Sequence, residues 1–287
     1  MRRVCFLSMD DLSGYVADDD LAIPPLASLG WRVDTVSWRD TSVDWNEFDA
    51  VVIRTTWDYQ RDPHLFLAAL ETIEKSSARL ENPLKTVKWN LSKIYLSDME
   101  RRGCPIVPTI WDAEYTAEAF DDWCDKLNTG ELIVKPVVSA TAEHTYRIAE
   151  YNNSLEGVFR GRKFMVQPFM PAIVTEGEFS LFYFRGVFSH AINKAPRASD
   201  FRVQEEHGGI ITATVPNPAM REAADRAIQA IGEDLLYARV DLVRDADHNY
   251  LLMELELIEP ALYFRMDKRL PKFFAEQFDL CMRDRVE

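Results

Sequence analysis

The residues of this chain best suited to chemistry are three carboxylates in its last quarter. Asp241 sits in the apolar run Tyr237-Ala-Arg-Val-Asp-Leu-Val243, and Glu254 and Glu256 in Tyr250-Leu-Leu-Met-Glu-Leu-Glu-Leu-Ile-Glu-Pro260. Both runs read as strands, and residues i and i+2 of a strand project from one face. Glu254 and Glu256 then stand roughly 6.5–7 Å apart, on the face opposite Met253 and Leu255. Uncompensated carboxylates in such a strand are costly unless something positive sits between them. The polar link Arg244-Asp-Ala-Asp-His248 predicts a hairpin that brings Asp241 alongside. A shared face requires Asp241 to pair with an even-numbered residue such as Leu252, or a bulge in the hairpin. Three converging oxygen donors suit a hard cation such as magnesium better than zinc. The competing reading is the solvated face of an edge strand.

Cations that could meet a phosphate lie upstream. Lys135 ends the apolar strand Glu131–Lys135, and the small residues Val137 to Ala142 follow it. A compact ammonium beside a small flexible loop suits a polyphosphate. Asn90 reads as the N-cap of a helix running to about Arg102 and closed by Gly103 and Pro105, with Lys93 in its first turn. Lys194, Arg197 and Arg202 gather charge ahead of Gly208-Gly209, enough to hold a reacting phosphoryl group. Gln167-Pro-Phe-Met170 leaves a strand beside aromatic and thioether groups that could sandwich a flat base. Arg54-Thr-Thr-Trp-Asp-Tyr59 ends a parallel strand, where open α/β sheets bind ligands. There Arg54 would grip a substrate carboxylate and Asp58 an amine. Alternatively Arg54 and Asp58 staple the loop, with Trp57 and Tyr59 as packing. His144, His190 and His207 read as structural rather than metal-ligating, with His207 the one placed to touch substrate.

The elements that must position these groups fall into three stretches. Short β-rich runs (4–8, 31–37, 50–54) alternate with helical spacing at 20–29 and 63–75, which predicts a small parallel α/β sheet. Its first turn, Met9 to Gly14, is acidic and lacks GxGxxG, so a dinucleotide site there is disfavoured. Strands at 106–109, 131–135 and 163–167 with a helix around 117–127 form a second mixed unit. Runs at 179–184, 186–191, 210–214 and the two carboxylate strands predict an antiparallel sheet, interrupted by a helix at 218–235. The expected units are 1–86, 87–170 and 171–287.

A net charge of −14 argues against nucleic acid or an anionic membrane as partner. Four dispersed cysteines without a CxxC pair argue against zinc and a disulfide framework and fit a reducing cytoplasm. No stretch approaches the ~20 apolar residues of a spanning helix. A homodimer is the commonest oligomer for such a chain.

The order lysine, lysine with loop, hinge, basic cluster, Asp, then Glu-x-Glu resembles the ATP-grasp superfamily, specifically its RimK-like and glutathione-synthetase-like ligases, over Arg54 to Pro260. The resemblance implies an α/β (α+β) ATP-grasp fold, with an N-terminal parallel domain and two subdomains that clamp ATP. It assigns Lys93, Lys135, Gln167, Pro168, Phe169, Met170, Glu178 and Met253 to the nucleotide. Asp241, Glu254 and Glu256 fall on its magnesium ligands, for two ions with manganese as a substitute. Arg202, in Asp200-Phe-Arg-Val-Gln204, falls on its phosphate-facing arginine, and Lys194 joins it as a catalytic residue. Arg54, Trp57, Asp58, Tyr59, His207, Gly208 and Gly209 are the expected contacts of an amino-acid-like or peptide-like substrate. Two departures stand out. The usual Glu-x-Asn is here Glu-x-Glu, and the phosphate loop Ser139 to Thr145 has no glycine.

A narrower resemblance, carried by Val52 to Tyr59, Asn90-Leu-Ser-Lys93, Pro108-Thr109 and Glu254 to Pro260, is to the O-ureido-serine cyclo-ligase subfamily of cycloserine biosynthesis. The implied chemistry is ATP-dependent activation of a carboxylate as an acyl phosphate, then attack by an amine. The alternatives are a small-molecule kinase on the same fold and a non-catalytic ATP-binding regulator.

Overall fold

The computed structural model describes residues 1–111, 114–139, 142–198 and 200–284. Ala140 and Thr141 of the expected phosphate loop lie outside the described residues.

The first unit is a parallel sheet built from β1 (Arg2–Ser8), α1 (Ile23–Ser28), β2 (Trp31–Ser37), β3 (Ala50–Thr55), α2 (Pro63–Glu74) and β4 (Arg79–Glu81), in strand order β2-β1-β3-β4. Strands β1 and β3 are apolar on both faces, as a covered parallel sheet demands. Cys5, Leu7, Val51 and Ile53 pack with Phe66, Leu70 and Ile73 of α2. Val4, Phe6, Ala50 and Val52 face the other way, into a core shared with the C-terminal helix.

Of the expected helix from Asn90 to Arg102 only α4 (Tyr95–Arg101) is helical, and Asn90 instead ends a preceding helix, α3 (Leu84–Asn90). Asn90 is therefore no N-cap. Its buried amide donates to Leu255 O (3.1 Å) and accepts from Leu257 N (3.0 Å), a two-point bond to backbone that a cap could not make. The break leaves Lys93 between the helices, its N–H bonded to Val137 O (2.7 Å). The expected strand at 106–109 reduces to a bridge, Ile106 to Leu252, with Leu252 N donating to Pro105 O (2.8 Å).

Next come α5 (Ala117–Leu127), β5 (Leu132–Pro136), β6 (Tyr146–Ile148), α6 (Glu156–Phe159) and β7 (Phe164–Pro168). The strands form an antiparallel sheet in the order β6-β5-β7. Thr116 caps α5 by accepting from Ala119 N, and Asn128 closes it in the left-handed region. Leu132, Val134, Phe164 and Val166 pack on Phe120 and Trp123. By alternation, Ile133, Lys135 and Gln167 take the opposite face.

The last unit comprises α7 (Ala172–Thr175), β8 (Glu178–Phe184), β9 (Val187–Ala195), β10 (Ile210–Thr214), α8 (Pro218–Ile231), β11 (Tyr237–Arg244), β12 (Tyr250–Glu256) and α9 (Leu270–Arg283). Its antiparallel sheet runs β10-β9-β8-β11-β12. Leu181, Tyr183, Val240 and Leu242 form one core with Leu96 and Met99 of α4 and Ala224 and Ala227 of α8. Thus α4 packs into a core formed chiefly by the five-stranded sheet and α8, with Met165 of β7 at its edge. Among the described residues no helix is long and apolar enough to cross a membrane.

Candidate active site

The hairpin of β11 and β12 meets the pairing condition twice over. Asp241 stands opposite Glu254 and Arg239 opposite Glu256, and a bulge follows between Asp241 and Leu242. The bulge leaves Met253 without a partner on β11. A bulge bends its strand and re-aims a side chain. Met253 accordingly lines the same cavity as the two glutamates, and not the opposite face that strict alternation gives. Across the sheet, Glu178 of β8 pairs with Lys194 of β9, and Ser180 with Asp241. Alternation along four strands thus brings Glu178, Lys194, Arg239, Asp241, Glu254 and Glu256 onto one face.

These groups are paired by charge. Lys194 bridges Glu178 and Asp241, the latter at 3.3 Å. Arg239 grips Asp241 (2.8 Å) and Glu256 together. Lys93 donates to Glu254 (2.7 Å) and to Ser139 O (2.8 Å). Buried ions without such partners would be strongly destabilising. Burial alone would raise the Asp241 carboxyl, yet Arg239 and Lys194 hold it well below the usual carboxylate range. Burial likewise opposes ionised Glu254, but Lys93 and Lys135 keep it below its ordinary value. Glu256 is pushed up to about 7, first by burial and then by Asp241 and Glu254 against the pull of Arg239. Glu178 reaches about 7, chiefly from burial, against the pull of Lys194. Burial lowers the Lys135 ammonium to about 8, although Glu254 opposes the fall.

The donor set fits a hard divalent cation. Asp241, Glu254 and Glu256 each offer an oxygen within 4.8 Å of the others', with no thiol or imidazole in the group. The raised Glu256 carboxyl marks negative charge that a cation would offset.

All these side chains open on one cavity of about 210 Å³ between the sheets. It is also lined by Lys135, Gln167, Pro168, Phe169, Met170 and Met253. Gln167 is buried and donates to Thr109 Oγ1 (2.9 Å). The Phe169 ring lies under the Arg147 guanidinium (3.6 Å) and edge-on to Phe201. Arg202 lines the cavity with its fork on Asp200 (2.9 Å), whose carboxyl it holds well below the usual range. Trp57 and Tyr59 line the end nearest the parallel sheet.

Five expected substrate contacts do not reach the cavity. Arg54 is fully buried: its guanidinium bonds Asp19, Pro260 O (2.8 Å) and Ile53 O (3.3 Å). It does not line the cavity, and it does not pair with Asp58. Asp58 accepts from Trp38 Nε1 (2.7 Å) and Arg39 Nη2 (3.0 Å), so it holds its own loop. His207, Gly208 and Gly209 sit behind the 200–206 loop. A Cβ at Gly209 would fall 1.9 Å from Val203 O, and Gly208 has φ +83°, so the pair serves the turn.

Conversely, Arg239, Glu259 and Tyr263 line the cavity without having been singled out in sequence. Arg239 was legible, being two residues before Asp241 on the same strand face. Glu259 and Tyr263 lie beyond the strand, where alternation gives no guide.

The chain is 32% identical over 266 residues to the cycloserine biosynthesis protein DcsG of Streptomyces lavendulae, covering 85% of this chain and 88% of that one. It belongs to the DcsG family. Residues 4–82 of this family member match the model of the D-cycloserine synthetase DcsG N-terminal domain. A crystal structure of D-cycloserine synthetase DcsG superposes with a TM-score of 0.83 at 27% identity, covering 98% of this chain and all of that one. Two more distant structures share the fold. The ATP-grasp ligase PsnB, with a minimal precursor, has a TM-score of 0.66 at 16% identity over 98% and 99% of the two chains. D-Alanine–D-alanine ligase of Bacillus anthracis with ATP has 0.67 at 16% over 100% and 98%. This member of the DcsG family thus shares the fold of the ATP-grasp ligases.

Proposed function

We propose that the enzyme uses ATP and magnesium to activate the carboxylate of a small amino-acid-like substrate, and that an amine attacks the acyl phosphate so formed. The observation that carries this reading is the convergence of Asp241, Glu254 and Glu256 with Lys93 and Lys135 on one cavity. Gln167 to Met170, with Met253, would hold the adenine, and the two lysines the phosphates. Asp241, Glu254 and Glu256 would hold the metal, two ions in all, with manganese able to replace magnesium. The metal supplies charge neutralisation at the phosphates. A substrate carboxylate oxygen attacks the γ-phosphorus, ADP leaves, and the amine then displaces phosphate from the acyl carbon. Lys194 and Arg202 offset negative charge on the transferring group, and loss of such a donor typically costs ~3–4 kcal/mol. Glu178 keeps Lys194 in place. The working units are 1–86 for the acid, and 87–170 with 171–287 for the nucleotide, as in RimK-like and glutathione-synthetase-like ligases.

Hydroxylamine trapping tests the step. With magnesium, ATP and a panel of small amino acids, a hydroxamate should form together with ADP. ADP without hydroxamate would point to phosphorylation of a hydroxyl. Glu256→Ala should abolish magnesium-dependent turnover; retained turnover would remove the metal assignment.

A further inference from the structure

Among the described residues, every buried carboxylate around the cavity has a lysine or arginine partner except one. Glu178 and Asp241 share Lys194, Asp241 and Glu256 share Arg239, and Glu254 takes Lys93. Glu259 lines the same cavity, is 8% exposed, and forms no ion pair among the described residues. It is nonetheless held firmly. Trp57 Nε1 donates to its backbone carbonyl (2.9 Å), Arg54 Nη2 donates to the next carbonyl, Pro260 O (2.8 Å), and Tyr59 lines the cavity beside its carboxyl. The Arg54-Thr-Thr-Trp-Asp-Tyr59 segment is thus a clamp whose Arg54 and Trp57 act on Glu259-Pro260. A clamp on a buried acid that lines the cavity and shares an ion pair with none of the lysines or arginines around it suits recognition of a cationic ligand group.

We infer that Glu259 is a substrate-binding residue that receives the ammonium group of the acid to be activated, so the enzyme selects amino acids over their desamino counterparts. The inference rests on the ligase reading above. Trp57 and Tyr59 line the same cavity, and aromatic rings favour an ammonium over a neutral group. Burial, and next the Glu256 charge, push the Glu259 carboxyl up to about 8, although Lys93 pulls the other way. A bound cation supplies the counter-charge that this position lacks. Asp58 cannot serve instead, because Trp38 and Arg39 occupy it.

The test is hydroxamate formation with magnesium, ATP and hydroxylamine, using alanine and serine of both hands against propionate and 3-hydroxypropionate. Wild-type enzyme should favour at least one amino acid over its desamino partner by tenfold or more in kcat/KM. Glu259→Gln keeps the size but not the charge, so it should bring that ratio close to one with KM for ATP unchanged. Glu259→Asp keeps the charge and should restore part of the preference. A ratio near one in wild type, or a preference that survives Glu259→Gln, overturns the inference alone. Absence of hydroxamate from both sets overturns the ligase reading, and the inference falls with it.

Discussion

Removal of Arg54 separates a substrate-gripping arginine from a clamp. Arg54→Met deletes a fully buried guanidinium that bonds Asp19, Pro260 O and Ile53 O and lies 5.1 Å from the Tyr237 ring centroid. Two costs add. Asp19, largely buried at 13% side-chain exposure, loses its partner, and breaking such a pair costs about 3–5 kcal/mol. Pro260 O and Ile53 O lose hydrogen bonds worth about 1 kcal/mol each. Together these come to about 5–7 kcal/mol; the stem of Met fills part of the space, so we take the lower half, about 5–6 kcal/mol. That corresponds to a melting temperature lower by roughly 15 °C in a chain of this size. Thermal unfolding followed by circular dichroism measures it. The double variant Asp19→Asn/Arg54→Met removes the stranded charge and should recover about half of the loss. Substrate KM should rise in both variants, because Pro260 and with it Glu259 lose an anchor, while KM for ATP should not change. A melting temperature unaltered in Arg54→Met, with acid binding abolished, would refute the clamp and restore a direct substrate contact.

Two further outcomes follow from the electrostatics. Lys135→Ala should weaken ATP binding by tenfold or more in a calorimetric titration, since the ammonium is kept in a buried site with Glu254, Glu178 and the nucleotide to offset its cost; unchanged affinity would remove it from the phosphate site. His190, stacked 4.2 Å from Phe182 and bonded to Leu262 O, is lowered by burial from 6.5 to about 4. Folding therefore disfavours its protonation, so its contribution to stability is complete above pH 6.5 and is lost as pH falls towards 4. His190→Phe should flatten the fall in urea midpoint between those values. An undiminished slope would place the acid sensitivity elsewhere.

Much of the nucleotide and metal end was legible in the sequence because it is written in strand alternation. Glu254 and Glu256 share a face whatever surrounds them, and an even-numbered partner was required for Asp241. Glu254 is that partner. Strand-end placement likewise brings Lys135 and Gln167 to the cavity. Local pattern could not reveal the break between α3 and α4, because Asn90 is held by the backbone of Leu255 and Leu257, more than 160 residues away. Nor could it separate a clamp from a ligand at Arg54 and Asp58. Their types suit both roles, and the decision lies with Asp19, Pro260, Trp38 and Arg39, which are 35, 206, 20 and 19 residues distant.

By itself, then, the order of residues determined which side chains project together from each strand, since that follows from backbone geometry within a few residues. Only the tertiary structure decided which of those charges are already neutralised. That depends on partners brought in from other elements, and in a buried site the partner determines whether a charge holds the fold or waits for a ligand.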